Sequence, residues 1–231
     1  MWDRGGSRGT LCPGRPAGPE PGCGWKALSQ YAFLVNSNCC SGCKTCQVAC
    51  KDKNDLPAHV NWRKVYEVTA GGWQRKEAAW DSTVTAYNLS VSCNHCLNPV
   101  CLPPCPTQAI WKTDSGIVLI EESLCRNCRL CINACPYGAI YFDPLANTTT
   151  KCDFCADNLE TGLPPACVAA CPNRALDYGE HAEMKRRYGD LSHVFPLPSP
   201  SIAGPALIIL PHRNTALAAS LGPVVANSEE L

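Results

Sequence analysis

Along this chain the spacing of hydrophobic and polar positions changes often, and no run keeps one period for long. Residues 1–27 carry no apolar stretch, and Gly5, Gly6, Pro13, Gly14, Pro16, Pro19 and Pro21 leave little to bury, so this segment reads as a flexible tail. Order is expected to begin near Leu28. There Tyr-Ala-Phe-Leu-Val at 31–35 reads as a short strand that runs straight into a cluster of cysteines. Further strands are expected at residues 62–68, 84–91, 117–120, 140–142 and 175–178, and helical turns at 47–52, 130–134 and 166–170, each turn following a cysteine group. Residues 180–188, charged and without an internal glycine, read as a surface helix. Beyond Leu191 the run Phe195-Pro-Leu-Pro-Ser-Pro-Ser201 argues against any regular element, so the end of the chain is expected to be an extended strap on a partner or on the chain itself. Short strands alternating with short helices predict an α+β fold.

Composition makes the core look thin. Of 231 residues, 19 are cysteine and only 17 are aromatic (6 Trp, 7 Tyr, 4 Phe). The cysteine share lies near the level, roughly 8–10%, that marks cysteine-built scaffolds. Disulfides or bound metal must therefore supply cohesion. Formal charge is zero, 20 basic against 20 acidic residues, which gives no reason to expect nucleic acid as a partner. That tally omits the cysteines, whose metal-bound thiolates would add negative charge. The best apolar stretch, Pro205 to Leu210 with its neighbours, is interrupted by Gly204, Pro211, His212 and Arg213. A transmembrane helix needs about 20 apolar residues, so no direct membrane span is expected. Nor does the amino end hold the apolar core of a secretory signal, so export would depend on a partner.

The dominant pattern is a fourfold repeat of cysteine groups. The first is Cys40-x2-Cys43-x2-Cys46-x3-Cys50, and the second is Cys93-x2-Cys96-x4-Cys101-x3-Cys105. The third is Cys125-x2-Cys128-x2-Cys131-x3-Cys135, and the fourth, with a long middle gap, is Cys152-x2-Cys155-x11-Cys167-x3-Cys171. Three groups end in Cys-Pro, at Pro106, Pro136 and Pro172. A tight C-x2-C-x2-C loop can wrap three corners of one iron–sulfur cube, and in two-cluster ferredoxins the last cysteine of each run serves the other cluster. Such motifs work in pairs. Sixteen cysteines in four groups therefore predict four [4Fe-4S] clusters in two ferredoxin-like double-cluster modules. A zinc site would have no reason to repeat the x3-Cys-Pro element. Disulfides would be strained among four cysteines in so few residues, and the chain lacks the small secreted form of such frameworks. Cys12, Cys23 and Cys39 fall outside the register and are read as bystanders.

Other chemistry is faint. His95 lies between Cys93 and Cys96, where a surface position or a place beside the ligands outweighs ligation; His59, His181, His193 and His212 match no metal or catalytic pattern. Trp62, Trp73 and Trp80 are read as packing residues of the segment joining groups one and two. Arg126, Arg129, Lys44 and Lys51 are either solvated charges or cations that raise the potential of nearby clusters. No G-x-S-x-G, phosphate-binding loop or dinucleotide fingerprint occurs, so the chain is expected to move single electrons without catalysing a substrate reaction.

These residues resemble the four-cluster iron–sulfur subunits of molybdopterin oxidoreductases, and most closely the B-subunit family of dimethyl sulfoxide reductase. The resemblance runs from about Gln30 to the C-terminus. It rests on Cys40-Ser-Gly-Cys-Lys-Thr-Cys46, Ala49-Cys-Lys-Asp52, Tyr66-Glu67, Gly71-Gly-Trp73 and Ser92-Cys-Asn-His-Cys96. It continues through Ala134-Cys-Pro-Tyr-Gly138, Thr150-Lys-Cys-Asp153, Arg174-Ala-Leu-Asp177 and Gly189-Asp190. The cysteine pattern alone fits the wider superfamily, and the other segments narrow it. The stretch before residue 28 has no counterpart, which a start placed too far upstream would explain.

The resemblance implies ligand sets. Cys40, Cys43, Cys46 and Cys171 would hold one cluster, and Cys152, Cys155, Cys167 and Cys50 its neighbour. The inner pair would take Cys93, Cys96, Cys101 and Cys135, and Cys125, Cys128, Cys131 and Cys105. One module is then inserted in the other: residues 28–60 and 146–180 form the outer module, 61–92 a connecting segment, 93–145 the inner module, and 181–231 a helix and strap. The implied partners are a molybdopterin catalytic subunit that reduces sulfoxides or N-oxides and a quinol-oxidising membrane anchor. The protein would be membrane-associated through them, on the extracytoplasmic face by co-export with the catalytic subunit or on the cytoplasmic face. Alternatives are the equivalent subunit of another molybdopterin complex such as formate dehydrogenase, or a free polyferredoxin-like carrier, with a cluster-bearing regulator or structural zinc protein further off.

Overall fold

The computed structural model describes residues 29–231; the tail at 1–27, Leu28, Cys12 and Cys23 lie outside the described residues. The first strand, β1 (Tyr31–Asn36), is apolar on both faces and is buried along its middle. Two faces need two covers, and each is supplied. Phe33 and Val35 join the main core, while Ala32 and Leu34 pack with Met184, Ala206 and Ile208. After the first cysteine loop comes α1 (Thr45–Lys53), then the long strand β2 (Arg63–Ala70). A short hairpin follows, β3 (Trp73–Lys76) and β4 (Ala79–Ser82), and then β5 (Thr85–Ser92), antiparallel to β2 from Arg63 opposite Ser92 to Ala70 opposite Thr85.

The middle of the chain is built from two small hairpins that carry cysteine loops between them. β6 (Ile110–Lys112) pairs with β7 (Val118–Ile120), α2 (Leu130–Ala134) follows the third group, and β8 (Ile140–Asp143) pairs with β9 (Thr148–Lys151). The fourth group spans α3 (Ala156–Glu160) and α4 (Ala166–Ala169), and the chain then returns to β1 through β10 (Leu176–Glu180). α5 (His181–Tyr188) starts after Glu180 and turns Met184 inward beneath β1.

The C-terminal segment corrects the sequence reading. The extended segment lies on the chain itself, as one of the two expected alternatives had it, but it is regular: Leu207–Leu210 forms β11, which pairs parallel with β1 to complete the sheet β10-β1-β11. Leu207, Ile208 and Ile209 are buried there. α6 (Thr215–Ser220) and β12 (Val224–Val225) follow, and β12 pairs with β2. Asn227 fixes that return: its Nδ2 donates to the Val65 carbonyl at 2.9 Å and its Oδ1 accepts from the Glu67 N–H at 2.9 Å. The hydrophobic positions that close the core were thus present in the run Ala206 to Leu210, bounded by Pro205 and Pro211.

The β3–β4 hairpin supplies a second correction. Trp62 packs against the core as expected, but Trp73 and Trp80 are 65% and 66% exposed on a hairpin whose residues all face solvent.

Candidate metal centres

Cysteines form part of the core itself: Cys46, Cys93, Cys152, Cys167 and Cys171 are buried in one cluster with Phe33, Leu89 and Phe154. The backbone around them repeats as the sequence does. Gly42 and Lys44 flank Cys43 with φ of 75° and 60°, and Asn127 and Arg129 flank Cys128 with φ of 55° and 60°. Alternating left-handed residues curl the loop around a hollow and turn amide N–H groups toward sulfur. The residue two beyond the first cysteine donates in each of three groups: Gly42 to Cys40, Asn127 to Cys125, and Phe154 to Cys152 at 3.4 Å.

The three Cys-Pro turns are also copies of one another. Gln108, Gly138 and Arg174 each donate N–H to the carbonyl of Cys105, Cys135 and Cys171 at 3.2 Å, with φ of 55°, 56° and 52°. The following alanine then aims its N–H at sulfur: Ala109 at Cys105, Ala139 at Cys135, and Ala175 at Cys171 at 3.2 Å. Proline cannot continue the helices before Cys135 and Cys171, and in all three copies the chain reverses so that the fourth amide after the cysteine comes back to it. Cys50 has no proline after it. There the Asn54 carboxamide takes the place of the amide, 3.7 Å from the sulfur. This Cys-Pro-x-x-Ala element stands in the sequence three times and was readable as a repeat.

The thiols gather in sets. Cys40, Cys43, Cys46 and Cys171 line one hollow of about 310 Å³ including its mouth, closed by Val65, Ala175 and Leu176. Cys93, Cys96, Cys101 and Cys135 line a second of about 360 Å³, walled by Val100, Val118 and Ile140. Cys50, Cys152, Cys155 and Cys167 act on one another electrostatically: Cys167 and Cys155 both raise Cys50, while Cys50 and Cys167 raise Cys152. In the third group Cys128 raises Cys131, and the Thr149 hydroxyl lies 3.3 Å from Cys125 and also bonds Cys131. Cys105 packs in one apolar cluster with Cys131 and with Cys101 and Cys135 of the second hollow. Neighbouring sets act on one another electrostatically, Cys167 on Cys46 and Cys93 on Cys152, and the two inner sets share one apolar cluster. Among the described residues no cysteine, histidine, aspartate or glutamate side chains converge as ligands of a single ion do.

Burial dominates the thiols. It pushes Cys40 and Cys155 up to about 11 and Cys50, Cys96 and Cys101 up to about 12. Such groups are neutral unless a cation displaces the proton, so the hollows suit metal that binds as thiolates form. Three differ: hydrogen bonds from the Thr45 hydroxyl and amide lower Cys43, and against the rise from burial, hydrogen bonds centred on Thr107 lower Cys105 and on Thr149 lower Cys125.

Of the cations singled out in the sequence, Lys51 lies within the electrostatic reach of Cys50, and each makes its direct contacts elsewhere. Lys44 pairs with Glu67 at 3.0 Å and with Glu230, and Lys51 donates to the carbonyls of Pro57, Ala58 and Val60. Arg126 and Arg129 are exposed, the latter 3.7 Å above the Phe142 ring. Two cations that the sequence reading passed over are buried instead: Arg63, and Lys151, which donates to the carbonyls of Val118 and Cys152. His95 is buried rather than at the surface. Its Nδ1 accepts from the Val118 N–H at 3.0 Å, so Nε2 carries the proton, and burial holds the ring neutral against Phe154.

Comparison with known proteins agrees with this geometry. Residues 84–181 match the 4Fe-4S dicluster domain, which includes groups two, three and four. The likeness extends further in whole sequences: this protein is 42% identical over 203 residues to the B subunit of anaerobic dimethyl sulfoxide reductase of Escherichia coli, covering 88% of its own length and 99% of that subunit. The protein belongs to the family of dimethyl sulfoxide reductase B subunits. The Haemophilus influenzae B subunit is 40% identical over 205 residues, covering 88% and 100%. A thiosulfate reductase electron transfer subunit of Salmonella typhi is 37% identical over 164 residues, covering 70% of this protein and 82% of its own length. The B-subunit family is thus matched along nearly its full length, group one included.

Proposed function

We propose that this chain is the electron-transfer subunit of an anaerobic reductase, with one [4Fe-4S] cluster held by each of its four thiol sets. The observation that carries the reading is the arrangement of those sets as neighbours across two adjoining apolar clusters. Bound there, the clusters would supply one-electron chemistry and nothing else. The chain's own residues hold the sulfur positions by backbone N–H donation and exclude water with Val65, Val118, Phe154 and Leu176. It is a carrier and not the catalytic subunit, in keeping with relatives named as B subunits or as electron transfer subunits.

The finer assignment follows the sequence. Cys40, Cys43, Cys46 and Cys171 form one ligand set, and Cys50, Cys152, Cys155 and Cys167 the adjoining one. Cys93, Cys96, Cys101 and Cys135 form the third set, and Cys105, Cys125, Cys128 and Cys131 the last. The first two make an outer module and the others an inner module inserted in it. One end of the series faces a molybdopterin catalytic subunit and the other a quinol-oxidising membrane anchor. No helix of the described residues is long and apolar enough to cross a membrane, so attachment to the membrane is assigned to that anchor. The substrate is a sulfoxide or N-oxide reduced on the catalytic partner.

Co-expression with a catalytic and an anchor subunit tests this. Quinol-driven turnover is expected to be lost on replacing Cys40, Cys93, Cys125 or Cys152 by serine, while a dye donating directly to the catalytic partner still supports it. Turnover of sulfoxide by the isolated chain, or a monomer indifferent to any molybdopterin subunit, would contradict the proposal and favour a free carrier.

A further inference from the structure

Arg63 is the first residue of β2 and is 1% exposed, yet it makes no salt bridge with any described carboxylate. A guanidinium stays protonated in proteins, so this is a permanent positive charge inside the core. Its surroundings hold it in one place. Nη2 donates to the Ser92 hydroxyl at 3.0 Å, Nη1 donates to the Ser90 hydroxyl at 3.2 Å, and the plane lies 4.6 Å from the centre of the Phe33 ring. Its Nε has no hydrogen-bond partner. Register explains the aim: Arg63 lies directly opposite Ser92 on β5, and Ser90, two residues along, shares that face.

A buried charge requires an opposite one. The groups that act on Arg63 are thiols, Cys167, Cys46, Cys152 and Cys50 in falling order, drawn from two different sets. A direct connection also exists. Ser90 accepts from Arg63, so its own hydroxyl proton is free to point at Cys46, whose sulfur is 3.3 Å away and which lines the first hollow together with Ser90.

We propose that Arg63 is the internal counter-cation shared by the two outer centres, and that Ser90 relays its polarity to Cys46. The inference rests on the reading of these thiol sets as cluster ligands. Reduction adds negative charge, so a fixed cation favours the reduced state and raises the potential; hydrogen bonds to ligand sulfur act in the same sense. Arg63 touches no substrate and is a positioning residue. Its effect is strongest on the outer pair, because the four thiols that act on it most, Cys167, Cys46, Cys152 and Cys50, all belong to that pair.

The test is potentiometric titration of the full chain, loaded anaerobically with iron and sulfide, read by electron paramagnetic resonance. Arg63→Gln is expected to shift the reduction equilibrium of two of the four centres at least tenfold toward the oxidised form, about 59 mV for a one-electron couple, and to shift the other two by less. Arg63→Lys, which keeps the charge, is expected to restore most of the shift. Ser90→Ala is expected to lower one centre only, and it carries the test if Arg63→Gln fails to load. A fully loaded Arg63→Gln protein with four unchanged potentials, a shift equal in the glutamine and lysine variants, or four wild-type potentials in Ser90→Ala would overturn the inference alone. Wild-type protein without four cubane signals would overturn the functional reading with it.

Discussion

How far a thiol is buried decides whether it can be replaced without disturbing its neighbours. Cys128 is exposed, whereas Cys131 in the same loop is buried against Ile110, Val118 and Ile140. Cys128→Ser is therefore expected to leave the fold intact while removing one corner of the third group's centre. A three-iron signal should appear in the oxidised protein. A fully four-iron spectrum in the variant would contradict the placement of Cys128. The cysteines were legible at this scale because spacing alone encodes them. The cations were not. Lys44, Lys51, Arg126 and Arg129 lie beside cysteines in sequence but turn to carboxylates, carbonyls or solvent, while Arg63, 13 residues beyond Cys50, is brought among the thiols by the β2–β5 register. Register across strands is a tertiary fact that a linear reading cannot supply.

The Cys-Pro turn is the element that most repays mutation. Its third residue after the cysteine is left-handed in all three copies, but only one copy uses glycine: Gly138, against Gln108 and Arg174. No atom lies within 4 Å of a Cβ built on Gly138, so a side chain there meets no clash and the cost is conformational. Gly138→Ala is expected to destabilise by about 1 kcal/mol. The exposed Gln108 and Arg174 should tolerate glycine with an equal or higher midpoint, the relieved strain being partly offset by glycine's freedom in the unfolded chain. Anaerobic thermal unfolding of the loaded protein checks both signs; an unaffected Gly138→Ala would show that the turn is not held as described. The strands at β1, β2, β5, β7, β8 and β10 were readable from apolar runs. The β3–β4 hairpin is misread because its tryptophans suggest burial, and β11 because the proline-rich run before it hides a short apolar segment that pairs with β1.

At the scale of the molecule, the two ends of the described chain close on each other. β1 is sandwiched between β10 and β11, and β12 returns to β2 beside Asn227. The small apolar core is interleaved with cysteines, so fold and cofactor are expected to depend on each other: Cys46 and Cys152 within it, and Cys50 and Cys155 beside it, are raised by burial and become anions only with metal, and Arg63 finds its counter-charge only then. The central claim is that sixteen thiols in four connected sets hold four iron–sulfur cubes. Iron and acid-labile sulfide, measured per protein molecule after anaerobic loading, test it most directly. The account predicts that each approaches sixteen, from the sixteen free cysteines among the described residues. Stoichiometric zinc with little sulfide, or iron and sulfide that saturate at half that value, would contradict it.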